Sequence, residues 1–294
     1  MKKFKSIISA TLAGVMIMSM IGCGQSAPTE PSSPSAGGET PAVEIKTAVD
    51  GKLTWATSAD FPPYEFIENE QVVGIDAEVM EYVAGKLGLE SAPENMDFSS
   101  VITAVSSGKT DVAASGITVN EDRKQSVDFS DPYVSTSQVV IVRFDSPIKT
   151  VEDLAGKTIG VQLNTTGDEY VTTNYTDATV ERYGKGFEAI EALKQLKLDA
   201  VVIDGDTADK FIEADTSGDI VKLEGEPLTV EEYAFAVQKG NTALLDAINS
   251  ALAEMKENGK LDEIIGKYKA ADDSEKSDGT SETEAEAETA TDAA

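Results

Sequence analysis

The stretch Ser115-Gly116-Ile117-Thr118-Val119-Asn120-Glu121-Asp122-Arg123 carries the groups best suited to hold a small anion. Gly116 permits close backbone approach, Thr118 brings a hydroxyl, and Arg123 brings a planar fork of donors that matches a carboxylate. The stretch falls between a strand-like run and a helix-like run, and in open α/β sheets the loops at the carboxyl ends of strands line the ligand crevice. Taken by itself, Arg123 reads as a surface ion-pair partner for Glu121, Asp122 or Asp128. Catalysis finds few parts here. The sequence holds no histidine, and neither a nucleophile beside a base nor a metal-ligand cluster stands out. The chemistry on offer is binding, with no cofactor and no metal required.

Holding such a loop in place takes a rigid frame. Apolar β-branched runs at 53–56, 112–114, 138–143, 158–161, 200–203 and 233–238 predict strands. Helical patterns at 74–87, 99–107, 187–196 and 242–258 alternate with them, and a short helix follows to Tyr268. This alternation predicts α/β sheets with helices on both faces. In the 74–87 helix, Ala77, Met80, Val83, Ala84 and Leu87 share one stripe, and Gly88 supplies the stop. The folded part, 52–269, suits one large domain or two small lobes. No repeat of solenoid length is present.

The blocks flanking the loop narrow the reading. Asp97-Phe98-Ser99-Ser100-Val101-Ile102-Thr103-Ala104-Val105-Ser106-Ser107-Gly108-Lys109-Thr110-Asp111 leads into it, and Ser126-Val127-Asp128-Phe129-Ser130-Asp131-Pro132-Tyr133 follows it. Over about residues 53–268 the sequence resembles the family 3 extracellular solute-binding proteins of amino-acid ABC transporters. The resemblance implies an α/β, two-lobed periplasmic-binding-protein type II fold, a Venus flytrap with two crossover hinge strands. The crossovers fall near 139–143 and 234–238, with lobe 1 at 52–140 and 235–270 and lobe 2 at 141–234.

The same resemblance assigns roles. Arg123 becomes the partner of a ligand α-carboxylate, aided by Thr118 and by groups near Thr165 and Thr166, where Gly167 and Asp168 open a helix whose dipole also favours an anion. Asp204 becomes the acceptor for the α-amine, with Ser115 and the Gly116 carbonyl sharing the ammonium. The residues themselves also read Asp204 as the N-cap of a helix beginning Gly205-Asp206-Thr207. Phe61 and Phe98 become aromatic walls, while core packing is the alternative for Tyr64 and Phe66. Ser58 and Gln162 stand where relatives read the side chain. Neither is charged, which leans towards a neutral polar ligand such as glutamine; Asp60 and the aromatics leave arginine, lysine or cystine open. The implied function is the extracytoplasmic substrate-binding protein of an importer, closing on a free L-amino acid and passing it to permease subunits. A sensing domain for a separate signalling partner is an alternative. A small-carboxylate dehydratase on the same fold would need an acid or base that is missing.

The chain ends bear on location. Lys2, Lys3 and Lys5 precede an apolar run at 7–21, then Gly22 and Cys23, which reads as a secretory signal over 1–22. The run is shorter than the roughly 20 residues that span a bilayer. It resembles the lipobox of bacterial lipoproteins, with Met20 in place of the usual leucine, and implies a palmitate-type lipid on Cys23 and attachment to the outer face of the cell membrane. Cys23 is the one cysteine, so no internal disulfide forms. Residues 24–51 read as a flexible linker spanning roughly 26–31 Å, and 271–294 as an acidic tail. A net charge of −29, from 53 acidic against 24 basic residues, argues against nucleic acid or anionic lipid as partner. Nothing signals an oligomer, and a monomer is expected.

Overall fold

A computed structural model of the chain describes residues 45–269. The expected signal segment, Cys23, the linker as far as residue 44 and the acidic tail lie outside the described residues. Among the described residues no helix is long and apolar enough to cross a membrane.

Two five-stranded mixed sheets form the frame, one to each lobe. In the first, Lys52–Thr57 pairs in parallel with Glu90–Asn95 and Val112–Ala113. Ala236–Gln238 then runs antiparallel between Val112–Ala113 and Val127–Phe129. The second sheet repeats the plan. Thr158–Gln162 is parallel to Thr179–Tyr183 and Ala200–Asp204, and Gln138–Arg143 runs antiparallel between Ala200–Asp204 and Ile220–Lys222. The central strands are buried on both faces, which requires the near-continuous apolar runs that make them visible in the sequence. The edge strands Glu90–Asn95 and Thr179–Tyr183 are polar and half exposed, so no such run marks them. Pro93 is tolerated there because an edge position spares it from donating on its free side.

Helix Ile75–Leu87 buries Ala77, Met80, Val83 and Ala84 against Leu53 and Trp55 of the first sheet, and a left-handed Gly88 ends it. Helices Thr242–Glu257 and Lys260–Lys269 add Leu244, Ile248, Leu252, Met255, Leu261 and Ile264 to the same core. In the second lobe, helix Gly186–Lys194 lays Ala189, Ile190 and Leu193 with Ile141, Val201 and Ile203. Val171, Leu154 and Ile148 gather with Val140, Val142, Ile159, Val161 and Val202 in a separate core cluster of that lobe.

Val134–Thr136 and Glu231–Tyr233 form a separate two-stranded antiparallel ladder between the two sheets. The crossovers expected near 139–143 and 234–238 therefore sit a few residues earlier. Gln138–Arg143 is already inside the second sheet and Ala236–Gln238 inside the first, and their apolar character is that of sheet interior.

One backbone approach seats the helix that underlies the site. Gly74 precedes Ile75–Leu87 at φ 125°, ψ −176°, a region open essentially to glycine alone. A Cβ there would stand 2.3 Å from the Tyr64 carbonyl oxygen, which accepts from the Asp76 N–H at 2.9 Å. Gly74→Ala is expected to lower unfolding stability by about 2–5 kcal/mol, read as a lower urea midpoint at unchanged slope. A midpoint left where it was would contradict this packing.

Candidate ligand-binding site

Between the lobes lies a cavity lined by groups from both. Every predicted ligand-site residue lines it: Ser58, Phe61, Phe98, Ser115, Gly116, Thr118 and Arg123 from the first lobe, and Gln162, Thr165, Thr166 and Asp204 from the second. Glu65, Gln138, Val202, Ile203 and Tyr233 line it as well. Among the described residues no three histidine, cysteine or carboxylate side chains assemble into a metal-binding group.

Arg123 sits on the short helix Glu121–Lys124, whose N-cap Asn120 accepts the Arg123 N–H at 2.8 Å. Its guanidinium donates to the Thr118 carbonyl at 2.9 Å and, across the cleft, to the Asn164 carbonyl at 3.2 Å. It lies 5.5 Å from the Phe98 ring centroid. Glu121 pairs instead with Lys124 and Asp128 with Lys239, so the surface ion pair weighed from sequence is not the arrangement found. Burial pulls the Arg123 pKa down, while Tyr233, Glu231 and Glu169 favour its charged form. An arginine stays charged under such terms, and further donors of its fork remain for a ligand.

Beside it stand buried carboxyl groups. Glu65 is wholly buried, and its Oε1 accepts from the Ser115 hydroxyl at 2.7 Å. No N–H or hydroxyl reaches its Oε2, and a carboxyl hydrogen bond with Asp76 favours a protonated Glu65 beside an ionised Asp76. Asp76 fixes the loop from behind, accepting from the Gly116 N–H at 3.0 Å and from the Tyr133 hydroxyl at 2.5 Å. Burial, with the Asp76 charge nearby, pushes Glu65 well above the usual carboxylate range. Burial raises Asp76 to about 6 against the hydrogen bonds that hold it down. Gly116 itself has φ 51°, and a Cβ there would meet the Phe61 ring at 2.8 Å. The aromatic wall continues as Phe61 stacked on Tyr64 at 5.7 Å and Tyr64 edge-on to Tyr233 at 5.0 Å. Tyr64 is fully buried, in keeping with its core alternative.

From the second lobe, Asp204 both lines the cavity and caps a helix. Its Oδ1 accepts from the N–H groups of Asp206 at 3.0 Å and Thr207 at 3.5 Å, opening Gly205–Ala214. Its Oδ2 accepts from Tyr233 at 2.6 Å and from Thr136. Burial raises it to about 7 despite those bonds. Thr165 caps helix Thr166–Asn174, its hydroxyl oxygen accepting from the Asp168 N–H at 3.2 Å. Asn164 takes φ 65°, a conformation that asparagine tolerates, with its carbonyl on Arg123. Gln162 donates to the Gly184 carbonyl at 3.3 Å, and the Ser58 hydroxyl donates to Asp60 at 2.7 Å. The lobes also meet outside the cavity, through Lys185 with Asp60 at 3.4 Å and Tyr64 with Asp206 at 2.5 Å.

Of the unforeseen lining residues, Glu65 carried a readable signal: a carboxylate inside Pro62-Pro63-Tyr64-Glu65-Phe66 is a charge in an apolar run, and buried charges are rare without a purpose. Gln138, Val202, Ile203 and Tyr233 look like ordinary strand residues.

Residues 53–271 match the profile of the bacterial extracellular solute-binding proteins, family 3. The arginine-binding extracellular protein ArtP of Bacillus subtilis (strain 168) is 33% identical over 223 residues, 74% of this chain and 86% of that protein. The L-cystine-binding protein TcyJ of Escherichia coli (strain K12) is 28% identical over 225 residues, 76% of this chain and 84% of that protein. The crystal structure of the P235GK mutant of ArgBP from T. maritima superposes with a TM-score of 0.71 at 43% identity, covering 74% of this chain and 95% of that one. These relatives are solute-binding proteins and not enzymes. With two sheet-bearing lobes in the type II arrangement and a profile match across both, the chain belongs to family 3 of the bacterial extracellular solute-binding proteins.

Proposed function

We propose that this protein is the lipid-anchored substrate-binding component of an amino-acid ABC importer, and that its cargo is a free L-amino acid with a cationic side chain. The observation carrying the ligand class is Glu65, a wholly buried carboxyl group on the cavity wall with a second carboxyl, Asp76, beside it. A zwitterionic backbone balances Arg123 with its carboxylate and Asp204 with its ammonium. That leaves Glu65 facing the cavity, neutral in the ligand-free protein because burial and Asp76 oppose its charge, and a cation placed beside it favours the ionised form. A guanidinium or ammonium on the side chain supplies that cation. Ser58 and Gln162, whose neutrality leaned towards glutamine, have hydroxyl and amide donors turned to Asp60 and Gly184. The names of ArtP and the T. maritima protein agree with this class.

In this reading Arg123 and the N–H groups opening Thr166–Asn174 take the α-carboxylate, with Thr118, Thr165 and Thr166 around that end. Asp204, the Ser115 hydroxyl and the Gly116 carbonyl take the ammonium. Phe61 and Phe98 flank the aliphatic stem. The protein works as a monomer, tethered through Cys23 outside the cell, and delivers its cargo to permease subunits after the lobes close.

Titration calorimetry with arginine, lysine, glutamine and cystine tests the proposal. Arginine is expected to bind in the micromolar range, about −8 kcal/mol. Arg123→Ala is expected to weaken it by at least about a hundredfold, because the ligand carboxylate loses its charge-assisted partner. Glu65→Gln should cost arginine about ten- to a hundredfold and spare glutamine. Tighter binding of glutamine than arginine by the unaltered protein would sink the cationic reading. No binding at millimolar concentration would sink the receptor reading itself.

The raised carboxyl groups add a pH dependence. Asp204, raised to about 7, is largely protonated in the ligand-free protein below that pH, and an ammonium beside it favours the ionised form. Binding then releases a proton, so affinity falls as pH drops below about 7, by up to about tenfold per pH unit for each proton released. Glu65 is displaced in the same direction and adds to the release for a cationic ligand. Calorimetry at pH 6 in buffers of different ionisation enthalpy reads the proton count; a count of zero would remove Asp204 from the ammonium site.

A further inference from the structure

We infer that Glu231, on the crossover ladder, clamps the two lobes together behind the ligand cavity and so sets how readily they close, without touching the ligand. Its side chain is 8% exposed. One oxygen, Oε2, accepts from the Thr118 hydroxyl of the first lobe at 2.7 Å and from the Thr166 hydroxyl of the second at 2.8 Å. The other oxygen accepts from the Thr229 hydroxyl at 2.7 Å, which holds the carboxylate in its rotamer.

Glu231 is not part of the cavity lining. It lines a shallow groove on the far side of Thr118 and Thr166, which border both spaces. The two threonines and Glu231 thus make the rear wall of the cavity. Each hydroxyl has a single hydrogen, and both hydrogens are committed to Glu231. The threonines therefore present only oxygen lone pairs towards a ligand, and the donors for an α-carboxylate are Arg123 and backbone N–H groups.

The first-lobe side of the clamp is laced to the crossover by backbone as well. The Val119 N–H donates to the Glu232 carbonyl at 3.0 Å, and Thr118 pairs with Tyr233 in an isolated bridge. On the other side Thr229, which holds the Glu231 carboxylate, accepts from the Gln138 N–H of the second sheet at 3.1 Å, so Glu231 sits on the joint and one of its two bonds to Thr118 and Thr166 must break when the lobes part. A hydrogen bond to a buried carboxylate, made in the closed form and replaced by water in the open one, shifts the closed population by about ten- to a hundredfold. Apparent affinity follows the populated fraction of the binding-competent form. Glu231 also lies close enough to favour the charged form of Arg123, so the clamp stands beside the anion site.

The affinity part of the test rests on the proposed amino-acid binding, while the closure part needs no ligand. On the full chain, Glu231→Ala is expected to weaken binding about ten- to a hundredfold by one common factor for every amino acid that the unaltered protein binds. The loss should lie in faster dissociation, and the ligand-free radius of gyration by small-angle scattering should rise. Glu231→Gln keeps an oxygen for both hydroxyls and should recover most of the loss. Thr166→Val should reproduce Glu231→Ala, and the double variant should be no worse than either alone. Additive losses, a loss that differs between ligands, or unchanged affinity with unchanged radius would each overturn the clamp. If no amino acid binds the unaltered protein, the proposed cargo is wrong, and the comparison of ligand-free radii still decides the clamp.

Discussion

Removing charged groups from water around one cavity is the condition that the rest of this structure meets. Arg123, Glu65, Asp76 and Asp204 all lose solvent there, and each displaced pKa has burial as its first cause. An unpaired buried charge costs several kcal/mol, so each group must be held by protein dipoles or give up its charge. Arg123 is held by two carbonyl oxygens, one from each lobe. Asp204 is held by a helix N-terminus and two hydroxyls, and Asp76 by a backbone N–H and a tyrosine. Glu65 gives up its charge more readily because burial and the Asp76 carboxylate beside it both oppose ionisation. The positions of helix Ile75–Leu87, of the Ser115–Thr118 loop and of the crossover ladder follow from supplying these partners.

The two lobes solve that problem with one strand plan used twice. In each sheet three parallel strands are joined by an antiparallel fourth and a fifth beyond it. The antiparallel fourth strand is in each case the one that enters directly after the crossover ladder. Connections of this kind let both lobes keep complete cores while sharing only a short polar joint. The joint then carries functional side chains, Thr136 and Tyr233 on Asp204 and Glu231 on the threonines, rather than apolar packing alone.

How far the sequence discloses this depends on what each residue is asked to do. Strands buried on both faces leave apolar β-branched runs, and 138–143, 158–161 and 200–203 are found nearly to the residue. Helix Ile75–Leu87 is legible from its stripe and its glycine stop. Edge strands leave no run, and helices Thr166–Asn174 and Gly205–Ala214 begin with polar caps that also fit turns. At the site, Arg123, Gly116 and Thr118 are legible because their chemistry is unusual for their neighbourhood. The neighbours of Asp204 disclose only its capping role, which the structure shows, while its place on the cavity is implied in the sequence by the family resemblance alone. Glu231 and Asp76 act through long-range contacts, to Thr118 and Thr166 in one case and to Gly116 and Tyr133 in the other. Spacing along the chain carries no trace of such partners.

The distribution of the aromatic wall bears on the order of events. Phe61 and Phe98 belong to the first lobe and Tyr233 to the crossover, while the second lobe contributes Asp204 and a helix N-terminus. When the lobes separate, the rings, Arg123 and Glu65 stay assembled as one open face. Under the proposed function, a ligand arriving there meets the groups for its side chain and carboxylate before the second lobe takes part. In that case selection among cargoes is weighted towards the encounter and residence time towards the lobe that arrives last, and recognition and retention are tuned by different halves of the molecule.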